Sequence, residues 1–218
     1  MILGIYGSSG LGREVLILAQ QINNSESRWS QIVFINDFTN ENIIKGTSVY
    51  SFDDLKNTFD KSEIEIIIAV GEPDARNILL TKVKLNQYQL AVLVHPNVNI
   101  PECTKIGEGT VICTNSYISC EVLIGSNVYV QPFACVGHNV MIGDNTVISS
   151  YASIGGFTIV GNNNFIAMNC SIKDRISIGN ETIIGMGAVV TKSIPEGVVA
   201  YGNPAKVINK NVLKRVFK

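Results

Sequence analysis

The chain has 218 residues, enough for one large or two modest domains, and its 17 Lys and Arg against 18 Asp and Glu leave a net charge of −1. That balance excludes bulk attraction to nucleic acid or to an anionic membrane surface, so any site for a polyanion must be local. The start of the chain lacks a basic region and a cleavable apolar run, and no segment approaches the roughly 20 apolar residues of a membrane span. The five cysteines have no C-x-x-C spacing, and a reduced, cytoplasmic protein without membrane insertion is expected.

Residues 2–6 read as a buried strand that runs into the loop Gly7, Ser8, Ser9, Gly10, Leu11, Gly12 and then a helical stretch over 13–22. Glycines between a strand and a helix let the backbone approach a phosphate or nucleotide at the helix N-terminus. The spacing G-x-x-G-x-G differs from the dinucleotide fingerprint G-x-G-x-x-G, which opposes an NAD(P)-linked enzyme and leaves a tight structural turn or a different nucleotide. A second strand over 31–35 ends in Asn36 and Asp37, beside the glycine loop if the sheet is doubly wound. Asp37 is thus a candidate for a ribose or base contact, and the alternative is a solvated Asx turn.

Ser51 and Asp54 form a capping box that opens a helix over 52–59. The strand over 64–70 ends in Gly71 and Glu72, and Pro73 suits the first turn of a helix through Leu85. A last strand over 90–94 leads through His95 and Pro96 into the second half. The order βαβαβαβ implies a small parallel sheet with helices on both faces, a Rossmann-like α/β domain over 1–93. No Gly/Ser-rich linker follows, so the junction is expected to be rigid.

From Val94 to Val190 every sixth residue, seventeen in all, is Ile or Val. A six-residue step fits neither a helix nor an alternating strand, and defines a solenoid of short strands and corners. Gly107, Gly125, Gly143, Gly161 and Gly179 recur every eighteen residues, so three hexapeptides make one coil of a triangular prism. Four positions after the aliphatic residue the side chains are mostly small or β-branched, as in Thr110, Ala134, Thr146 and Ala152, which suits a narrow interior. About five and a half coils at an interstrand spacing of roughly 4.8 Å give a prism roughly 26 Å tall. The prism domain is expected over 94–195 and a capping tail over 196–218. The tail carries five basic residues and no acid after Ala205, with a short helix expected over 211–218 across the open end of the prism.

Two histidines exist, His95 and His138. His95, before Pro96 at the junction, reads as a packing or capping residue. His138 stands at a prism corner, two positions after an inward valine, with Gly156 in the same column one coil on and Cys120 one coil before. A glycine stacked on an outward histidine leaves room beside the ring, and its N–H could face a reacting carbonyl. Histidine is the natural general base near neutral pH. A three-histidine zinc site is one reading that the prism cannot furnish, and no metal is expected.

Gly7 to Glu14, Ala69, Val70 and Gly71 with Arg76, His95 and Pro96, Gly137 and His138, Ile142 to Asp144, and Gly202 to Lys206 together resemble the sugar acetyltransferases of the sialic-acid O-acetyltransferase and bacillosamine N-acetyltransferase kind. The match spans residues 2–208. The resemblance implies a left-handed parallel β-helix, a homotrimer with its active site between neighbouring prisms, acetyl-CoA as co-substrate, and an N-terminal domain that holds the nucleotide of a nucleotide-linked amino sugar. Carried onto these residues, it makes His138 the base and the Gly156 N–H a donor to the oxyanion. Gly155, Gly156, Lys192, Asn203, Pro204, Ala205 and Lys206 would face acetyl-CoA. Gly7, Ser8, Ser9, Gly10, Asn36, Asp37 and Gly71 would face the nucleotide sugar.

Two positions depart from that family. An acidic residue commonly follows the histidine, and here it is Asn139; Glu121, one coil below, is a candidate to supply the carboxylate. Nine residues after the histidine a second histidine is common, and here it is Val147. The expected activity is transfer of an acetyl group to a nucleotide-linked amino sugar, a 4-amino-4,6-dideoxyhexose, for surface polysaccharide or glycan biosynthesis. The alternatives are O-acetylation of sialic acid on the same fold and a non-catalytic trimeric scaffold.

Overall fold

The computed structural model describes residues 1–217, so the last basic residue of the tail, Lys218, lies outside the described residues. The N-terminal unit comprises β1 (Ile2–Tyr6), α1 (Gly10–Glu26), β2 (Gln31–Ile35), β3 (Ile43–Ile44), β4 (Thr47–Tyr50), α2 (Phe52–Thr58), β5 (Ile64–Ile68), α3 (Pro73–Leu85) and β6 (Gln89–Leu90). Its sheet has the order β3-β4-β2-β1-β5-β6, parallel except for the edge hairpin β3-β4. The central strands are continuous apolar runs because helices cover both faces. Leu3, Ile5, Phe34 and Ile67 pack toward α1, while Tyr6, Ile35, Ile66 and Ile68 pack toward α2 and α3. Ser51 Oγ accepts from the Asp54 N–H at 3.0 Å and caps α2 as expected. No helix among the described residues is long and apolar enough to cross a membrane.

The prism is built from two-residue strands repeated every six residues from Lys105–Ile106 to Val189–Val190. Each strand pairs in parallel with the one eighteen residues on, as Cys135↔Ser153 and Val136↔Ile154 show, and this generates three faces. The Ile and Val of the repeat fill the interior, and Thr110, Ala134, Thr146, Ala152 and Ala188 are buried beside them. The corners turn through the left-handed region. From Asn115 to Glu181 every sixth residue has φ between 55° and 64°, and half of these twelve are asparagine. Asparagine tolerates this conformation better than other side chains with a Cβ, because its short amide bonds locally.

One face of the prism is covered. Its outward residues Val111, Tyr129, Val147 and Phe165 are buried against Leu16 and Ala19 of α1 and against Leu93. A strand over 90–94 does not run from sheet to prism as expected. It splits into β6, which pairs with β5, and β7 (Leu93–Val94), which pairs with Val111–Ile112 as the first rung of the prism. The backbone leaves one sheet at Ala91 because its N–H still reaches the Ile66 carbonyl, while the Leu93 N–H already donates to Thr110.

Arg76 locks the two halves together. Its guanidinium is fully buried and donates to the carbonyls of Ile68, Val70 and Asn127 and to Asn127 Oδ1, at 2.6–3.0 Å. Burial pulls its pKa down to about 10, still well above neutrality, so it remains a cation held entirely by neutral oxygens.

The tail departs from the sequence expectation. Val198–Tyr201 continues the covered face in parallel with Ile183–Ile184, and Lys206–Lys210 folds back antiparallel upon it. Residues 211–217 form no helix. They return along the covered face to the N-terminal unit, where Glu72 accepts from the Val216 and Phe217 N–H groups and Phe217 packs on Phe165. Val216 is partly buried at this junction and Phe217 rests one edge on Phe165, while the pairing of Val198–Tyr201 with Lys206–Lys210 extends the covered face beyond its last rung.

Candidate active site

His138 lies at the corner between the face that carries Cys135–Val136 and the face that carries Met141–Ile142. This corner is opposite the face that the chain's own N-terminal unit covers. The ring is exposed, and three neighbours confine it. Phe157 meets it edge-on with centroids 5.0 Å apart, and the Arg175 guanidinium lies 4.3 Å over Phe157 from the other side. Asn139 Oδ1 sits 3.0 Å from His138 Nδ1, and Asn139 Nδ2 donates to Glu121 Oε2 at 2.5 Å. The third neighbour is Gly156. A Cβ built there would lie 2.8 Å from Cε1 and 2.9 Å from Nε2 of the imidazole, so glycine is what allows the ring to lie on the next coil. The Gly156 N–H donates to no group among the described residues, and is available to a ligand.

Gly156→Ala is therefore expected to push the ring off its position without straining the backbone. Turnover should fall by about 10²-fold, the cost of displacing a reacting group by an ångström, with a melting temperature close to that of the parent. An unchanged rate would mean that the ring does not work from this position.

The other residues expected around the co-substrate flank one face. Lys192 stands in the His138 column three coils on, roughly 14 Å at the interstrand spacing. The loop with Asn203 and Pro204 lies beside the top rung of the same face, where the Ala205 N–H donates to Val189, and Lys206 opens the strand that folds back on the covered face. Between them the outward positions Ser153 and Ser171 are small, and Gly155 packs against the backbone of Asp174. Val147 is buried under α1 on the covered face, away from His138.

The residues expected around the nucleotide form a separate cleft of about 510 Å³ in the N-terminal unit, where Gly7, Ser8, Ser9, Asn36 and Asp37 meet an apolar wall that includes Ile78 and Leu79. Phe38, 96% exposed, stands at its edge; the sequence reading missed it, although a phenylalanine two residues past a strand end was the available signal. Gly12 is required structurally, since a Cβ there would lie 2.0 Å from the Gly7 carbonyl. Gly10 opens α1 with free space around it.

Asn36 bonds Ser8 Oγ and the Phe38 N–H. Asp37 accepts from Tyr6, Lys82 and the Phe52 N–H at 2.5–2.8 Å. Burial works against the Asp37 carboxylate, but these donors outweigh it and hold its pKa below the ordinary value. Tyr6, buried beside that carboxylate, is pushed well above its own. Asp37 thus shapes the cleft floor and has three donors before any ligand arrives. Gly71 is set back from the cleft, against Phe217 and Leu11.

A hexapeptide prism with an α/β unit on one face and a histidine on a glycine shelf places the chain in the hexapeptide-repeat class of folds. The family model of the bacterial transferase hexapeptide matches residues 121–156 and 157–192, and that of the PglD N-terminal domain matches residues 3–83. Among solved structures, WeeI from Acinetobacter baumannii AYE is 30% identical, with 95% of this chain and 100% of that chain covered at a TM-score of 0.88. A variant of perosamine N-acetyltransferase from Caulobacter crescentus, solved with CoA and GDP-perosamine, is 22% identical over 96% and 98% of the two chains, with a TM-score of 0.85. The acetyltransferase domain of PglB from Neisseria gonorrhoeae FA1090 is 23% identical over 95% and 99%, with a TM-score of 0.62. No curated protein matches the sequence. The chain belongs, with WeeI, to the proteins that join a PglD-type N-terminal domain to a left-handed hexapeptide-repeat β-helix of the bacterial transferase type.

Proposed function

We propose that the protein transfers the acetyl group of acetyl-CoA to the amine of a nucleotide-linked amino sugar, a 4-amino-4,6-dideoxyhexose, with His138 as general base. The observation that carries this reading is the imidazole itself, exposed and clamped, with Nε2 directed at no protein acceptor or donor among the described residues. The amine nitrogen attacks the thioester carbonyl and gives its proton to Nε2. The Gly156 N–H receives the oxyanion, and collapse of the tetrahedral intermediate expels CoA as a thiolate that recovers the proton from the imidazolium.

The nucleotide belongs in the α/β cleft, with its phosphates at the N-terminus of α1 and its base against the apolar wall beside Phe38. CoA belongs along the face lined by Ser153 and Ser171, toward Lys192 and the 203–206 loop. The similar perosamine enzyme, bound to CoA and GDP-perosamine, supports both ligand classes. The opposite placement of His138 and the chain's own cleft supports a homotrimer in which one chain's cleft feeds a neighbour's histidine. Five free thiols and nucleotide-sugar chemistry fit the cytoplasm and the supply of surface glycans.

The test is free-thiol release from acetyl-CoA with UDP-, dTDP- and GDP-linked 4-amino-4,6-dideoxyhexoses, against sialic acid and its CMP ester. Release with one amino sugar is expected. Release with the sialic acids alone would replace this reading by O-acetylation, and silence across the panel by a scaffold.

A further inference from the structure

The family's usual acid beside the histidine is missing, and the bonds around Asn139 supply a substitute. Glu121 and Asn139 occupy the same corner one coil apart, both in the left-handed conformation, at φ 55° and 57°. The Asn139 N–H donates to Cys120 and the Glu121 N–H to Cys103 Sγ, so both side chains leave a fixed backbone in the same direction. A carboxylate can only accept. With Glu121 Oε2 at 2.5 Å, the Asn139 amide must present its NH₂ to Glu121, because the flipped amide would set two unprotonated oxygens against each other. Its carbonyl then faces His138 Nδ1 at 3.0 Å, and a carbonyl also can only accept. Nδ1 must therefore carry the proton, which leaves the Nε2 lone pair free toward solvent.

We propose that Glu121 is a positioning residue that sets the tautomer and orientation of the His138 imidazole through the Asn139 side-chain amide. The inference rests on His138 being the base, and adds a carboxylate that acts one residue further from the ring than a directly bonded acid would. The other charged or titratable groups at this corner on the coils next to the ring are Cys120 below and Lys173, Asp174 and Arg175 above, and none of them bonds either imidazole nitrogen.

His95 provides an internal reference. Its Nδ1 accepts the Asn97 N–H at 3.1 Å, so its proton sits on Nε2. With ¹⁵N-histidine incorporated, two-bond ¹H–¹⁵N correlations at a pH about two units above the ordinary imidazole value report both neutral rings, and His138→Gln assigns them. The two histidines are expected in opposite tautomers. Glu121→Ala should mix the His138 tautomers and leave His95 unchanged. It should lower kcat by about 10–100-fold, the usual cost of losing such a partner, with little change in KM for the nucleotide sugar. Combining Glu121→Gln with Asn139→Asp should restore the Nδ1–H form, because the new carboxylate at position 139 accepts from both neighbours.

An Nε2–H form of His138 in the parent protein, or an unaltered tautomer in Glu121→Ala, would overturn the proposal. The two readings fail separately. Wild-type turnover in His138→Ala would sink the base assignment whatever the spectra show. A silent Glu121→Ala beside an inactive His138→Ala would sink the relay alone.

Discussion

His138→Ala is expected to lose about 10²–10⁴-fold in turnover, the ordinary contribution of one general base, and to melt within a degree or two of the parent. The two expectations come from the same geometry. The imidazole is exposed and rests on Gly156 and the edge of Phe157, so its removal opens no cavity in the Ile and Val interior. Exposed substitutions of this kind usually change stability by no more than about 0.5 kcal/mol. In the proposed reaction, what is lost is a lone pair at Nε2 held where an attacking amine must shed its proton. The measurement is thiol release at saturating acetyl-CoA on the sugar found active, alongside a thermal melt. More than a tenth of the parent turnover in the folded variant would remove His138 from the chemistry.

The largest effect on stability is expected from Arg76→Met. The side chain is comparable in length, so the loss is of hydrogen bonds and not of volume. Three buried carbonyls and the Asn127 side chain would lose their charged donor. Each buried group left unpaired costs about 1–3 kcal/mol, offset in part by release of a desolvated cation, so a net loss of about 3–5 kcal/mol is expected. At about 2–4 °C per kcal/mol for a chain of this size, the melting temperature should drop by roughly 6–20 °C. Amide exchange should accelerate first where β5 meets the corner at Asn127. Arg76→Lys should recover little, because one ammonium cannot reach acceptors spread around a planar fork. A drop of less than 2 °C would mean that the halves are held by their apolar packing and by other polar contacts such as Lys84 with Glu108, without need of the Arg76 guanidinium.

The prism was legible because its interior admits one solution: seventeen Ile and Val at a fixed step leave no other periodic fold that buries them all. Local signals marked Ser51 as a cap and 73–85 as a helix, where Pro73 suits the first turn. Edge structure was harder to read. The hairpin of Ile43–Ile44 with Thr47–Tyr50 turns on Lys45 and Gly46, and lysine at a positive φ announces no turn. Arg76 could be quoted as part of a motif, but nothing in a helix sequence tells a buried cation from a solvated one. The tail misled because a run of basic residues reads as a solvated helix, whereas Val216 and Phe217 determine where it goes.

His138 with Gly156 followed from the eighteen-residue column, which puts them in contact whatever the rest of the fold does. The bonds from Glu121 through Asn139 depend on side-chain rotamers, and for these the column supplied only a neighbour.

The eighteen-residue pairing also makes the molecule discrete along its axis. Any insertion or deletion that keeps both the inward phase and the identity of the three faces must come in whole coils, so the separation between His138 and Lys192 can change only in rungs of roughly 4.8 Å. A graduated scale of this kind lets the reach demanded of a donor's arm be lengthened or shortened by duplication of a coil, while the histidine, its glycine and the rungs around them are copied unchanged.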